Sequence, residues 1–261
     1  MSETFRFIED QAGNGAFNMA VDEALLQSAQ SGFSIPTIRL YGWDRPTLSI
    51  GYAQSLTQGF NVDFIDCNQI PVVRRPTGGR AILHYDEVTY SLTIPSSSRY
   101  FGPLTSIYNM AQGAIAGALL SLDIKADPAL KSPGMGRSAS CFASRTRHEI
   151  SVDGRKVAGS AQRRSGRGAL QHGSIVLSYD REMYLSCFDW PDDGARSGAG
   201  ALIGGINDGD HAPISSDDLR GAIIASFVAL YDINITSGAL SEKEVELADE
   251  IYYKTHTHIE G

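Results

Sequence analysis

Little in this chain points to metal, membrane or nucleic acid. It has three cysteines, Cys67, Cys141 and Cys187. Their number is odd, they lie far apart and they form no C-x-x-C pair, which excludes a zinc ribbon and a disulfide framework and fits reduced thiols in a cytoplasmic protein. No His/Cys/Asp/Glu group shows metal-ligand spacing, so no metal and no cofactor is expected. No apolar run approaches the roughly 20 residues that cross a bilayer, and Met1 to Arg6 has no signal-peptide pattern, so no membrane partner is expected. Excess positive charge is missing too. Thirty acidic residues against 22 Lys and Arg give a net charge of −8, which argues against a nucleic-acid partner.

What is there is an ordinary globular composition, 42% hydrophobic and 20% charged over 261 residues. Apolar residues at helical spacing predict helices over 18–30, 106–122 and 217–231, with Gly32 stopping the first and Ser216 capping the third. Ser241 and Glu244 form a capping box that opens a fourth. Strands are predicted at 35–41, 47–52, 87–94, 148–152, 155–158 and 170–178. The segment 87–94 alternates, with Val88, Tyr90, Leu92 and Ile94 on one face and Glu87, Thr89, Ser91 and Thr93 on the other. Asp153-Gly154 has the chemistry of a two-residue hairpin turn. Segments 127–140 and 192–210, rich in Gly, Pro, Ser or Asp, read as mobile. The expected fold is α+β, a mixed, largely antiparallel sheet flanked by helices, in one domain over 1–261.

Three features carry candidate chemistry. Arg74 to Ala81 places Gly78-Gly79 among Arg75, Thr77 and Arg80. Such a loop brings backbone N–H groups close to an anionic or carbonyl-bearing ligand, or is simply a turn with solvated arginines. It lacks the Gly-Lys-Ser/Thr ending of a phosphate loop. Lys156 follows the tight turn and is trailed by the small residues Ala158, Gly159, Ser160 and Ala161, which leave room for a slender substrate. A solvated strand lysine is the other reading. Cys141 ends a Gly/Ser/Pro-rich stretch near Arg137, Arg145 and Arg147, and positive neighbours favour the thiolate. Cys67 and Cys187 read as small buried hydrophobes. His84 and His172 sit alone in strand-like stretches, either lining a pocket or hydrogen-bonded in the core.

Together these motifs resemble the lipoate/octanoate transferase and ligase family, which shares its fold with biotin protein ligases. The resemblance rests on Arg39 to Trp43, Leu48 to Tyr52, Val73 to His84, Gly154 to Gln162 and Leu170 to Ile175, in that order. Cys141-Phe142, fifteen residues before Lys156, resembles the cysteine-dependent octanoyltransferases of the branch that feeds glycine-cleavage H protein. Arg80 stands where the ligases commonly have a third glycine, and no separate accessory domain is expected. The basic segment Ala143 to Arg147 departs from that pattern.

The resemblance implies Cys141 as acyl-thioester nucleophile and Lys156 as the group that lowers its pKa and steadies the carbonyl oxygen. It also implies Arg75, Thr77, Gly78, Gly79, Arg80, His84, Gly159, Ser160, Ala161 and His172 as substrate-binding residues. The implied partners are octanoyl-acyl-carrier protein as donor and a lipoyl carrier protein, such as glycine-cleavage H protein, as acceptor. An ATP-dependent lipoate ligase, a non-catalytic binder of lipoyl domains and transfer between two lipoyl domains are the alternatives.

Overall fold

A computed structural model describes residues 2–32, 34–127, 150–209 and 211–256. Cys141, His148 and the segment 128–140 lie outside these residues. In chain order the elements are β1 (Glu3–Gly13), α1 (Gly15–Ser31), β2 (Thr37–Trp43), β3 (Thr47–Ile50), α2 (Val62–Cys67), β4 (Val72–Arg74), β5 (Ile82–His84), β6 (Asp86–Pro95) and α3 (Leu104–Ser121). There follow β7 (Ile150–Val152), β8 (Arg155–Ser165), β9 (Gly168–Ser178), α4 (Arg181–Ser186), α5 (Asp193–Leu202), α6 (Ser216–Leu230), β10 (Ile233–Ser237) and α7 (Glu242–His256).

The large sheet has the order β10-β1-β2-β6-β9-β8-β7. β1 runs parallel to β10 and β2, while the remaining pairs are antiparallel, as expected for a mixed, largely antiparallel sheet. A small sheet, β4-β3-β5, stands beside it. One face of the large sheet packs on α3 and α6 through Ile38, Leu40, Val88, Tyr90, Leu92, Ile115 and Phe227. The other face is covered by α1, with α7 packed on α1. Consequently both faces of β6 are buried, and its polar side, Glu87 to Thr93, lies under α1.

Local chemistry explains the ends of these elements. Asn14 caps α1 by accepting from the N–H groups of Ala16 and Phe17, and Gly32 ends it at φ 79°, a left-handed position that favours glycine. Asp153 and Gly154 sit at φ 50° and 72°, the two positive values that a primed hairpin turn needs. Ser241 and Glu244 make the expected capping box, with the Ser241 N–H donating to Glu244 at 2.8 Å and the Glu244 N–H donating to Ser241 Oγ at 3.3 Å.

Several expectations need correction. Ser215, not Ser216, caps α6, because its extended backbone lets Oγ accept from the Asp218 N–H, while Ser216 is already helical. β2 runs on through Gly42 and Trp43, two residues past the predicted end of its strand. The segment 192–210 contains α5 and a short 3-10 turn at Ile206–Asp208, fixed by the buried Ala199, Ile203 and Ile206. Cys67 is exposed, since α2 is a single short helix that buries only Ile65. Cys187 is buried as expected, and burial pushes its thiol pKa up to about 12.

Candidate active site

The site grows from the place where β2, β6 and β9 lie side by side under α1. Alternation along β2 turns Ile38 and Leu40 to the helical core and Arg39 and Tyr41 toward α1. There the Arg39 guanidinium meets Asp22 of α1 at 3.0 Å and Asp10 of β1 at 2.6 Å. It also donates to Asn18 Oδ1 at 2.9 Å and lies 4.0 Å from the centre of the Tyr41 ring. Asp22 has no solvent exposure and accepts from the Tyr41 hydroxyl at 3.0 Å. Burial opposes its ionisation, but the His172 hydrogen bond and the Arg39 charge outweigh it and hold its pKa below the usual value.

From Asp22 a line of hydrogen bonds runs to the Gly-Gly loop. His172 Nδ1 pairs with Asp22 Oδ2 at 2.8 Å, and His172 Nε2 with Thr77 Oγ1 at 2.7 Å. With an ionised Asp22, the network assigns the proton to Nδ1, and Nε2 accepts from Thr77.

A second line runs alongside. Glu87 Oε1 of β6 pairs with His84 Nδ1 at 2.8 Å and accepts from Ser174 at 2.6 Å and Trp43 Nε1 at 3.1 Å. His84 Nε2 pairs with Ser49 Oγ at 2.7 Å, and that hydroxyl accepts from Arg75 Nη1, also at 2.7 Å. The His84 ring stacks on Trp43 with centroids 3.8 Å apart. Burial lowers the His84 pKa against the pull of Glu87, so this imidazole is neutral at pH 7.

Carboxylate, imidazole and hydroxyl in a row have the form of a nucleophile triad. Here the row does other work. Ser49 and Thr77 are each fully buried and neither lines the pocket, and Ser49 already accepts from Arg75. A nucleophile must reach its substrate, so these lines orient the two imidazoles rather than activate an oxygen.

The imidazoles form part of the wall of a pocket of about 430 Å³, its open mouth included. Apolar and aromatic groups, Met19, Tyr41, Trp43 and Ile82, line it together with small residues, Gly79, Gly159, Ala161 and Gly173. Gly79 sits at φ 95°, and a side chain at Gly173 would strike the backbone of β8. Both positions keep the wall thin. Such a slot suits a slender alkyl chain.

Of the expected residues, Arg75, Gly79, Arg80, His84, Gly159, Ser160, Ala161 and His172 come together on this lining. Thr77 and Gly78 stand behind it: Thr77 holds His172, and the Gly78 carbonyl accepts from Arg75. Arg75 also donates to the carbonyl of Arg80, so it clamps the loop from within. Lys156 lies off the lining but has no solvent exposure, which sets aside the solvated-lysine reading. Its strand is anchored on both sides, pairing with Ser151 in β7 and bridging to Ile203. Sequence reasoning missed Asp22, Glu87, Ser49 and Ser174 as parts of the network. The regular placing of Glu87 and Thr89 on one face of β6 was the available signal. Among the described residues no group of three or more His, Cys, Asp or Glu side chains could hold a metal, and no helix is long and apolar enough to cross a membrane.

Residues 14–228 match the family model described as the lipoyl protein ligase A/B catalytic domain, and the chain belongs to that family. Its sequence is 37% identical over 257 residues to the octanoyltransferase LipM of Carboxydothermus hydrogenoformans, covering 95% of this chain and 94% of that one. The octanoyltransferase LipM of Halalkalibacterium halodurans is also 37% identical over 257 residues, with coverage of 93% and 92%. The crystal structure of a lipoate-protein ligase A bound with ATP matches with a TM-score of 0.79 at 25% identity, covering 97% of this chain and 95% of that one.

Proposed function

We propose that this chain, acting as one catalytic unit, is an octanoyltransferase of lipoate biosynthesis. It takes the acyl group from octanoyl-acyl-carrier protein and delivers it to a lysine of a lipoyl carrier protein in the cytoplasm. The supporting observation is a narrow, largely apolar pocket in a chain similar over nearly its whole length to proteins named octanoyltransferase.

In this reading the Cys141 thiolate attacks the donor thioester. A new carbon–sulfur bond forms, and the donor's sulfur leaves as thiolate. The neutral amine of the acceptor lysine then attacks the acyl-enzyme. The amide forms, the Cys141 sulfur departs, and the amine gives up its proton. One thioester is exchanged for another and aminolysis runs downhill, so ATP is not consumed. The chain's own residues orient and hold. Met19, Tyr41, Trp43 and Ile82 shelter the alkyl chain, while the two carboxylate–histidine lines fix the wall and, through Thr77 and Arg75, the Gly-Gly loop. Lys156 stabilises the thiolate and donates to the carbonyl oxygen as charge develops.

The test is incubation with octanoyl-acyl-carrier protein without ATP, followed by peptide mass spectrometry. An octanoyl group on the Cys141 peptide is expected, and Cys141→Ala should abolish it. Acceptor modification that survives in Cys141→Ala and requires free lipoate with ATP would establish the ligase chemistry instead. Lys156→Met should lower the acylation rate by about 100- to 1,000-fold, the usual cost of one lost donor to a developing oxyanion. An unchanged rate would remove the role given to Lys156.

A further inference from the structure

Seven arginines of this acidic chain, including Arg6, Arg39, Arg99, Arg155 and Arg196, stand within 4.0 Å of a carboxylate among the described residues. Arg74, Arg80 and Arg163 have no carboxylate within 4.0 Å among the described residues, a trait they share with Arg164, Arg167 and Arg181. Arg74, Arg80 and Arg163 gather at one place. Arg74 Nη1 donates to the carbonyls of Gly51, Tyr52 and Gln54 at 3.1, 3.0 and 2.6 Å. The Arg163 guanidinium lies 5.3 Å from the centre of the Tyr52 ring and donates to the Pro76 carbonyl at 3.1 Å. Arg80 belongs to the loop that Pro76 begins and lines the pocket, where its Nη1 is buried without a hydrogen-bond partner.

Carbonyl contacts fix Arg74 and Arg163 in place without cancelling their charge. The cluster borders the pocket, because Arg80 and Ala161, two residues before Arg163 on the same strand, are on the lining. Tyr52 stands at its centre with 62% of its surface exposed. Tyr and Arg are the residues that anchor protein interfaces, and a charged rim of this kind steers an oppositely charged partner.

We propose that Arg74 and Arg163 around Tyr52, at the edge of the pocket that Arg80 lines, form the docking rim for a carboxylate-rich face of the protein that carries the acyl donor. This rests on the transferase reading above. The donor is assigned rather than the acceptor because the acceptor's reacting group arrives from an ammonium, which these guanidiniums repel, whereas a thioester carries no charge. The rim also gives a chain of net charge −8 a local field that attracts an acidic carrier.

The two half-reactions allow a direct test. Acylation of the enzyme is followed by mass spectrometry with octanoyl-acyl-carrier protein and, separately, with octanoyl-pantetheine, an uncharged small thioester. Arg163→Glu should raise KM for the protein donor about tenfold or more, with a smaller rise for Arg163→Gln, while KM for octanoyl-pantetheine stays unchanged. In the wild type, raising salt from 50 to 500 mM should raise KM for the protein donor alone. This arm needs no variant. An equal loss on both donors, no loss on the protein donor, or a loss confined to transfer from octanoyl-enzyme to lipoyl domain overturns the proposal. Absence of acylation of the wild type by either donor would instead refute the transferase reading.

Discussion

The two histidine lines look alike on paper and differ in what holds them. In the line Asp22–His172–Thr77, the carboxylate shares both oxygens: Oδ1 meets the permanent cation Arg39, and Oδ2 takes His172 and Tyr41. In the line Glu87–His84–Ser49, one oxygen of Glu87 takes His84, Ser174, Thr89 and Trp43, and the cation Arg75 stands at the far end, beyond the hydroxyl. A buried carboxylate beside a fixed cation stays ionised and makes its neighbours depend on it. One held by neutral donors spreads the same task over many weaker bonds. The first line is therefore a keystone, and the second tolerates single losses.

Breaking the keystone should have the largest effect. Arg39→Met leaves Asp22 buried without its adjacent guanidinium, and should cost about 3–5 kcal/mol in urea denaturation. Arg75→Met removes hydrogen bonds to a hydroxyl and to loop carbonyls and should cost less, about 1–3 kcal/mol. The reverse order would overturn the comparison. A finer version exchanges each carboxylate for its amide. Glu87→Gln keeps the Oε1 acceptor and should cost about 1 kcal/mol, whereas Asp22→Asn strands Arg39 with only the half-exposed Asp10 and should unfold at distinctly lower urea.

The smallest effect sharpens the contrast through pH. His84 is held below its ordinary pKa of 6.5, so between its folded value and 6.5 the unfolded chain binds more protons than the folded one. Its contribution is complete above pH 6.5 and is lost as pH falls through the folded value. Stability measured from pH 7.5 to 5 should fall less steeply in His84→Gln than in the wild type; parallel curves would remove His84 as the cause.

How much of this was legible beforehand varies from element to element. The capping box at Ser241, the hairpin turn at Asp153-Gly154 and the two faces of β6 are local statements, and the structure bears them out. So is the order of motifs from Arg39 to Ile175 that identified the family. Segment 192–210 misled, because glycine and aspartate are also compatible with a short helix once Ala199 and Ile203 find a core to fill. The β1 strand escaped notice, since its polar residues at 9–11 hide its pattern beside the sheet.

By itself, then, the sequence determined four of the helices and much of the central strands, where several of them stop, and the family whose residues line the pocket. Tertiary structure alone decided the partnerships. Asp22 meets His172 across 150 residues and Thr77 meets the same ring across 95. Lys156 is buried rather than solvated, and Glu87 sits beneath a helix instead of in water. The physical reason is that alternation and capping act over a few residues of backbone. A hydrogen bond between strands β2, β6 and β9 and helix α1 exists only after the sheet order has set them side by side.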